Sequence, residues 1–368
     1  MNANNEVISS ARVTRESKNR IHVDYEGKMS FWKRMRLKIF STYFLTQVVW
    51  YIFRLVLMIG ISYVILFPFF SKIAGSFMGY EDFVDVTVRV IPKHFTLATY
   101  KAIFVENHYL SAFFNTTLLS VSTALLQTFV CTLVGYGLAK FKFKGSNIVF
   151  LLVVLTMIVP HETLKLSLAT HFKYFDIGGL HGFLRDDGSR IIPGILQIFG
   201  IDADPEIAGR QLPNLMNSFG PLIIISMTGL AFKNGLYIFM MRQFFRGVPD
   251  ELEESAYVDG ATTMRTFFTI ILPLSVPMMI TIFLFAFSWQ WTDEFYTKLF
   301  FPTTNKWILM PKIVEIPQSL KIDYAGQSLF YTAIRNTAGI MIIMPLVIVY
   351  LFCQKYLVQG IERSGIVG

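Results

Sequence analysis

Five stretches of this chain are too apolar over too great a length to be ordinary surface or loop: "LVLMIGISYVILFPFF", "IVFLLVVLTMIV", "PLIIISMTGLAF", "IILPLSVPMMITIFLFAF" and "IMIIMPLVIVYLF". With their flanks, these runs approach the roughly 20 apolar residues a helix needs to cross a hydrocarbon core. Backbone groups have no water to bond there, so the chain must satisfy them internally and is predicted to be an all-α membrane protein. Composition agrees: 53% of the 368 residues are hydrophobic and only 16% are charged. A net charge of +8 would suggest nucleic acid in a soluble protein. Here it is explained by topology, and no basic patch interleaved with aromatics points to a nucleic-acid partner.

Apolar length predicts about six transmembrane helices, near 48-71, 112-137, 148-168, 218-241, 268-292 and 333-354. An even number puts both termini on one side. Lys and Arg are denser in the N-terminal arm, the 138-147 and 242-267 loops and the tail than in the opposite loops, so the termini are expected to be cytoplasmic in a plasma or inner membrane. The domain organisation expected is a cytoplasmic arm over 1-47, a six-span domain over 48-354 and a cytoplasmic tail over 355-368. Pro160, followed by His161 and Glu162, is expected to kink the third span. The arm is too polar for a signal peptide, and "MSFWKRMRLKIFSTYF" suits a helix lying on anionic lipid or a basic lead-in that fixes orientation. Residues 176-213 are rich in Gly, Pro, Asp and Arg and are expected to form an external insertion with a short helix or hairpin.

The segment "DELEESAYVDGATTMRTFFTIILP", Asp250 to Pro273, places five carboxylates between two apolar spans. Asp250 is predicted to cap a helix with Glu253 reaching back, and the acidic first turn suits the positive end of the dipole. Leu252, Ala256 and Val258 offer a modest apolar face. Gly260 supplies a left-handed turn, and Thr262 or Thr263 can cap a second helix that enters the bilayer at Leu272-Pro273. The expected coupling segment spans 249-267.

The order Glu254-Ser255-Ala256, two residues, Asp259-Gly260-Ala261, eight residues, Ile270-x-Leu272-Pro273 resembles the EAA signature of ATP-binding-cassette importer permeases, with Ser255 for the first Ala. "FFNTTLLSVSTALLQTFVCTLVGYGLAKFKFKG", "MRQFFRGVPDELEESAYVDGA" and "LFCQKYLVQGIERSGIVG" are also similar to segments of the MalG-like half of carbohydrate-uptake systems. The resemblance implies a type I importer permease fold. It also implies a second permease subunit, a cytoplasmic ATPase dimer that binds the ATP, and an extracytoplasmic sugar-binding protein. It makes Glu254, Ser255, Ala256, Asp259, Gly260, Ala261, Ile270, Leu272 and Pro273 the ATPase-coupling residues. The departures are the long 176-213 insertion and "WTDEF" in place of W-N-D/E-F.

Other chemistry is sparse. No phosphate-binding G-x-x-x-x-G-K-[ST] loop occurs, so no cofactor is expected in this chain. The histidines, at 22, 94, 108, 161, 171 and 181, lack metal spacing, and Cys131 and Cys353 lie in apolar runs as small hydrophobes. No catalytic constellation stands out, so no enzyme activity is expected. The rival function is an ion-coupled secondary transporter, for which Glu162, Asp293 and Glu294 are the available carboxylates. Asn115, Thr116, Thr117, Ser120 and Gln127 give the second span a polar content that must face protein or water. Trp289 and Trp291 could stack on a sugar or anchor a span end, and no substrate-binding residue is assigned.

Overall fold

A computed structural model describes residues 42–173, 214–231, 233–303, 307–323 and 327–363, together with Trp32, Phe175, 183–184 and 190–192. Most of the N-terminal arm, most of the 176-213 insertion and the last five residues lie outside the described residues. The chain divides into two compact units, residues 1–70 and 71–368. Most of the first helix, α1 (Thr42–Gly75), belongs to the former; it carries the first long apolar run, with Pro68 inside it.

In the second unit, two short helices, α2 (Tyr80–Val84) and α3 (Ala98–Glu106), precede the long α4 (Tyr109–Lys140). Then follow α5 (Ser146–Ile158), α6 (Lys165–Lys173), α7 (Gly220–Met227), α8 (Asn234–Arg246), α9 (Glu251–Val258), α10 (Thr263–Trp291), α11 (Phe295–Phe300) and α12 (Gln327–Arg363). A two-stranded antiparallel hairpin, β1 (Phe183–Leu184) with β2 (Arg190–Ile192), supplies the hairpin expected in the insertion.

Six continuous spans are not found among the described residues. There, four helices are long and apolar enough to cross a membrane, and the bent pair α5/α6 makes a fifth if counted as one span. The pair turns by 93° where Pro160 interrupts it. The fourth expected span, 218-241, is two helices of 8 and 13 residues. At 1.5 Å per residue these reach about 12 and 20 Å, short of a hydrocarbon core of about 30 Å. Gly229 causes the break: it takes φ +75, and the Leu230 N–H turns back onto Ile225 O. The last span does not stop at 354 either, because α12 continues through Arg363.

Helix α4 is the axis of the unit. Its buried polar residues, Thr116, Ser120, Thr123, Gln127, Thr128 and Thr132, recur at helical spacing and form one inward stripe. Lipid is as apolar as leucine, so apolar burial does little to drive helices together; close packing and hydrogen bonds hold them. Asn115 Nδ2 donates to Ile308 O at 3.0 Å, the Met310 N–H donates to Thr116 Oγ1 at 2.9 Å, and Gln127 Nε2 reaches Ser226 Oγ at 3.3 Å. Two glycines set the helix crossings. A Cβ on Gly135 would lie 2.5 Å from Met241 Cβ on α8, and one on Gly235 would lie 2.4 Å from Thr156 Oγ1 on α5.

The prolines are accommodated differently. Pro273 cannot donate to Thr269 O, and the turn before it, Phe267–Ile271, widens to i+5 bonding, so the helix passes through Leu272-Pro273 without ending. Pro345 likewise frees Met341 O inside α12, and that carbonyl accepts from Tyr109 Oη at 3.2 Å. The adjacent Ile342 O accepts from Trp291 Nε1 at 2.9 Å. Neighbouring helices thus satisfy the backbone that the proline leaves open.

Candidate functional site

Between α8 and α10 the chain turns through Val248, Pro249 and Asp250 into α9. At its far end the Gly260 N–H bonds Tyr257 O at 3.0 Å and the Ala261 N–H bonds Ala256 O at 2.9 Å. This paired closure requires a left-handed residue, and Gly260 has φ +79. Thr262, extended at ψ 158, accepts from the Arg265 N–H at 3.4 Å and so caps α10. Helix, glycine bend and threonine cap therefore stand as the sequence predicts.

The start of α9 does so only in part. Asp250 occupies the N-cap position, but its φ and ψ are helical and its side chain makes no capping bond. Its carboxylate instead accepts from Lys140 Nζ, at the end of α4, at 2.5 Å. That ammonium holds the Asp250 carboxyl below the usual carboxylate range. Glu253 does not reach back to Asp250 but turns inward, with Oε2 accepting from Tyr136 Oη at 3.2 Å and Oε1 standing 3.6 Å from Lys140 Nζ. Lys140 also donates to Val248 O at 2.7 Å, and its side chain is only 8% exposed. One lysine thus ties the entry of α9 to the end of α4.

This clamp decides which face of α9 is free. Glu253 and Ala256, three residues apart, are buried, whereas Leu252, Tyr257 and Val258 are exposed, Val258 at 88%. The predicted apolar face of Leu252, Ala256 and Val258 is therefore divided, with only Ala256 turned inward. Glu254, Ser255, Asp259 and Gly260 are exposed, Ala261 is half-buried, and Ile270, Leu272 and Pro273 lie in the α10 entry. Tyr136, Lys140 and the inward role of Glu253 were missed by sequence reasoning. The only signal for Lys140 was a cation directly after the apolar run "LVGYGLA", which topology already explained.

A small cavity lies between α4, α7, α8 and α10, lined in part by Gln127, Ser226, Lys233, Tyr237, Trp289 and Gln290. Its volume is about 40 Å³, room for a few waters. Trp289 lies beneath the Lys233 ammonium, 4.3 Å from ring centroid to Nζ, whereas Trp291 is buried and bonded to α12, which removes it as a stacking surface. Of the carboxylates considered for ion coupling, Asp293 and Glu294 are adjacent in the chain, and Glu162 follows His161, whose ring packs against Phe295 at 4.7 Å. Glu162 is exposed at the α5/α6 bend, Glu294 pairs with Lys298, and Asp293 accepts from the Thr297 N–H at 3.0 Å, its carboxyl pushed up to about 6 by burial. Among the described residues no group of three His, Cys, Asp or Glu could hold a metal, and both cysteines are free.

Comparison with known proteins places this geometry. The arabinooligosaccharide transport permease AraQ of Bacillus subtilis is 28% identical over 319 residues, covering 84% of this chain and 92% of that protein. The galactooligosaccharide permease GanQ of the same organism is 24% identical, covering 86% and 95%. A probable ABC transporter permease of Pyrococcus horikoshii is 25% identical over 307 residues, covering 82% and 92%. The crystal structure of a bacterial ABC transporter that imports the acidic polysaccharide alginate contains a chain of the same fold, with a TM-score of 0.60 at 17% identity, covering 84% of this chain and 97% of that one. The family profile of the binding-protein-dependent transport system inner membrane component matches residues 131–363, which include α9, its glycine bend and Lys140. The chain is a membrane-embedded member of that family, a permease of ABC importers.

Proposed function

We propose that this chain is the MalG-like permease subunit of an oligosaccharide importer. It has no catalytic role of its own and pairs with a second permease, a cytoplasmic ATPase dimer that binds the ATP, and an extracytoplasmic sugar-binding protein. The sugar class rests on relatives whose names specify arabino- and galactooligosaccharides. Family membership leaves no place for the ion-coupled carrier.

The observation that carries the coupling role is the clamped helix. α9 holds Glu254, Asp259 and an apolar ridge of Leu252, Tyr257 and Val258 outward, while Lys140 and Tyr136 fix its inner face to α4. A short helix held at both ends passes a push from a docked partner into the spans on either side, α8 and α10, and through Lys140 into α4. Residues 250-262 therefore act as the coupling helix, with both termini on the cytoplasmic side.

The test uses the assembled transporter in vesicles. No atom lies within 4 Å of a Cβ built on Gly260, so the demand there is conformational rather than steric. Gly260→Val adds about 1–3 kcal/mol of backbone strain and should lower sugar-stimulated ATP hydrolysis and uptake together, whereas Gly260→Asn, which tolerates the left-handed region, should keep both. Glu254→Lys should weaken ATPase retention on the purified permease. Wild-type behaviour of Gly260→Val and Glu254→Lys alike would make α9 a bystander loop.

A further inference from the structure

Where α4 ends and α5 begins, a second and larger cavity of about 500 Å³ opens among Phe141, Lys142, Phe143, Ser146, Ile148, Arg242 and Arg246. That volume falls within the range of about 300–1,000 Å³ typical of small-molecule sites. We propose that it binds the phosphate headgroup of an anionic phospholipid, a site separate from the α9 surface and independent of which sugar is carried.

Three observations converge. First, the cavity is cationic, and among the described residues none of its cations is ion-paired. Among the described residues neither Lys142 nor Arg246 has a carboxylate within ion-pair distance, and Asp250, whose charge Lys142 feels, is bonded to Lys140. Arg242 is held in place by its guanidinium stacked 3.8 Å over the Phe150 ring and by a bond from Nε to Leu138 O, which leaves the other N–H groups of its fork for a ligand. Second, α5 begins at this cavity. Gly145, at φ +92, brings no capping side chain, and the N–H groups of Asn147 and Ile148 precede the first intrahelical bond, from the Val149 N–H to Gly145 O. Such an end favours an anion. Third, the site lies at helix ends and carries an apolar flank. It joins the last turns of α4 and α8 to the first turn of α5, and Phe141, Phe143 and Ile148 expose apolar surface beside the cations. A free anion needs no such flank, whereas a phospholipid brings acyl chains that cover it.

The experiment is lipid retention by the intact transporter, this chain with its partner permease and ATPase, in native mass spectrometry from mixed phosphatidylglycerol and phosphatidylcholine. Wild type should retain phosphatidylglycerol selectively. Lys142→Gln and Arg246→Gln, at exposed side chains with no intraprotein ion pair among the described residues, should each lower that retention on the order of fivefold, the factor expected of one basic residue at an anionic surface. Charge-keeping Arg246→Lys should retain the lipid, and co-retained ATPase in the same spectra reports intact assembly. Equal retention by wild type and both Gln variants overturns the site. Displacement of the lipid by millimolar inorganic phosphate also overturns it, by making the cavity a free-anion pocket. The readout needs no transported solute, so a failed sugar assignment would leave it intact.

Discussion

Helices α4 and α12 have the same apolar length by the criterion for crossing a membrane, 32 residues each, yet half of the most apolar stretch of α4 is buried against 17% for α12. Within those stretches apolarity runs the other way, since that of α12 is the more apolar of the two. The buried helix is the one with the threonines, serine and glutamine, because in a bilayer polar groups and small residues, not leucines, gain by contact with protein. α12 leaves most of its surface outside the core of the chain and touches that core mainly through Phe330, Ile334, Ala338 and Ile342.

The most direct test of that contrast makes one substitution in both helices. Gly135→Ala puts a methyl group 2.5 Å from Met241 Cβ and 3.1 Å from the Arg242 backbone nitrogen, so α4 and α8 must part. A loss of about 1–3 kcal/mol and reduced assembled permease on size-exclusion profiles are expected. Gly339→Ala in α12 meets nothing within 4 Å and should be neutral or stabilise by up to about 1 kcal/mol. Equal effects at the two sites would erase the distinction drawn here.

The helix ends supply the next test. Lys140→Met removes the cation that faces buried Glu253 and should cost about 3–5 kcal/mol locally, read as ATP hydrolysis that no longer follows sugar. Lys355→Met, at an exposed position of α12, should leave coupling unchanged. The last pair concerns single hydroxyls. Thr116→Val leaves the Met310 N–H without its acceptor and should lower thermal stability by about 1–3 kcal/mol, whereas Thr332→Val, exposed on α12, should change little.

The sequence was most legible where structure is local. Gly260, Thr262 and the acidic α9 were readable because a left-handed turn, a cap and a dipole each depend on a few adjacent residues. The capping bonds expected of the Asp250 and Glu253 side chains were misread for the converse reason: Lys140, 110 positions before Asp250, takes both carboxylates, and no local pattern announces it. With Glu253 drawn inward, Leu252 and Val258 were left on the outside. The continuous fourth span failed because hydropathy sums over a window, while Gly229 breaks the helix by conformation. The inward stripe of α4 was foreseen from Thr116, Ser120 and Gln127, though not what each would bond.

Pro345 carries a consequence for inheritance. Replacing it with leucine would return to α12 the N–H that Met341 O lacks, which in an isolated helix is a simple repair. In this chain the repair would turn Tyr109 Oη away from its acceptor and disturb the carbonyl that holds Trp291, so a change at 345 alone moves an unmet bond from one helix to two others. Pro345, Tyr109 and Trp291 therefore meet at one turn of α12 from three distant stretches of the chain. A lineage that abandons the proline is expected to show compensating changes at both aromatic positions.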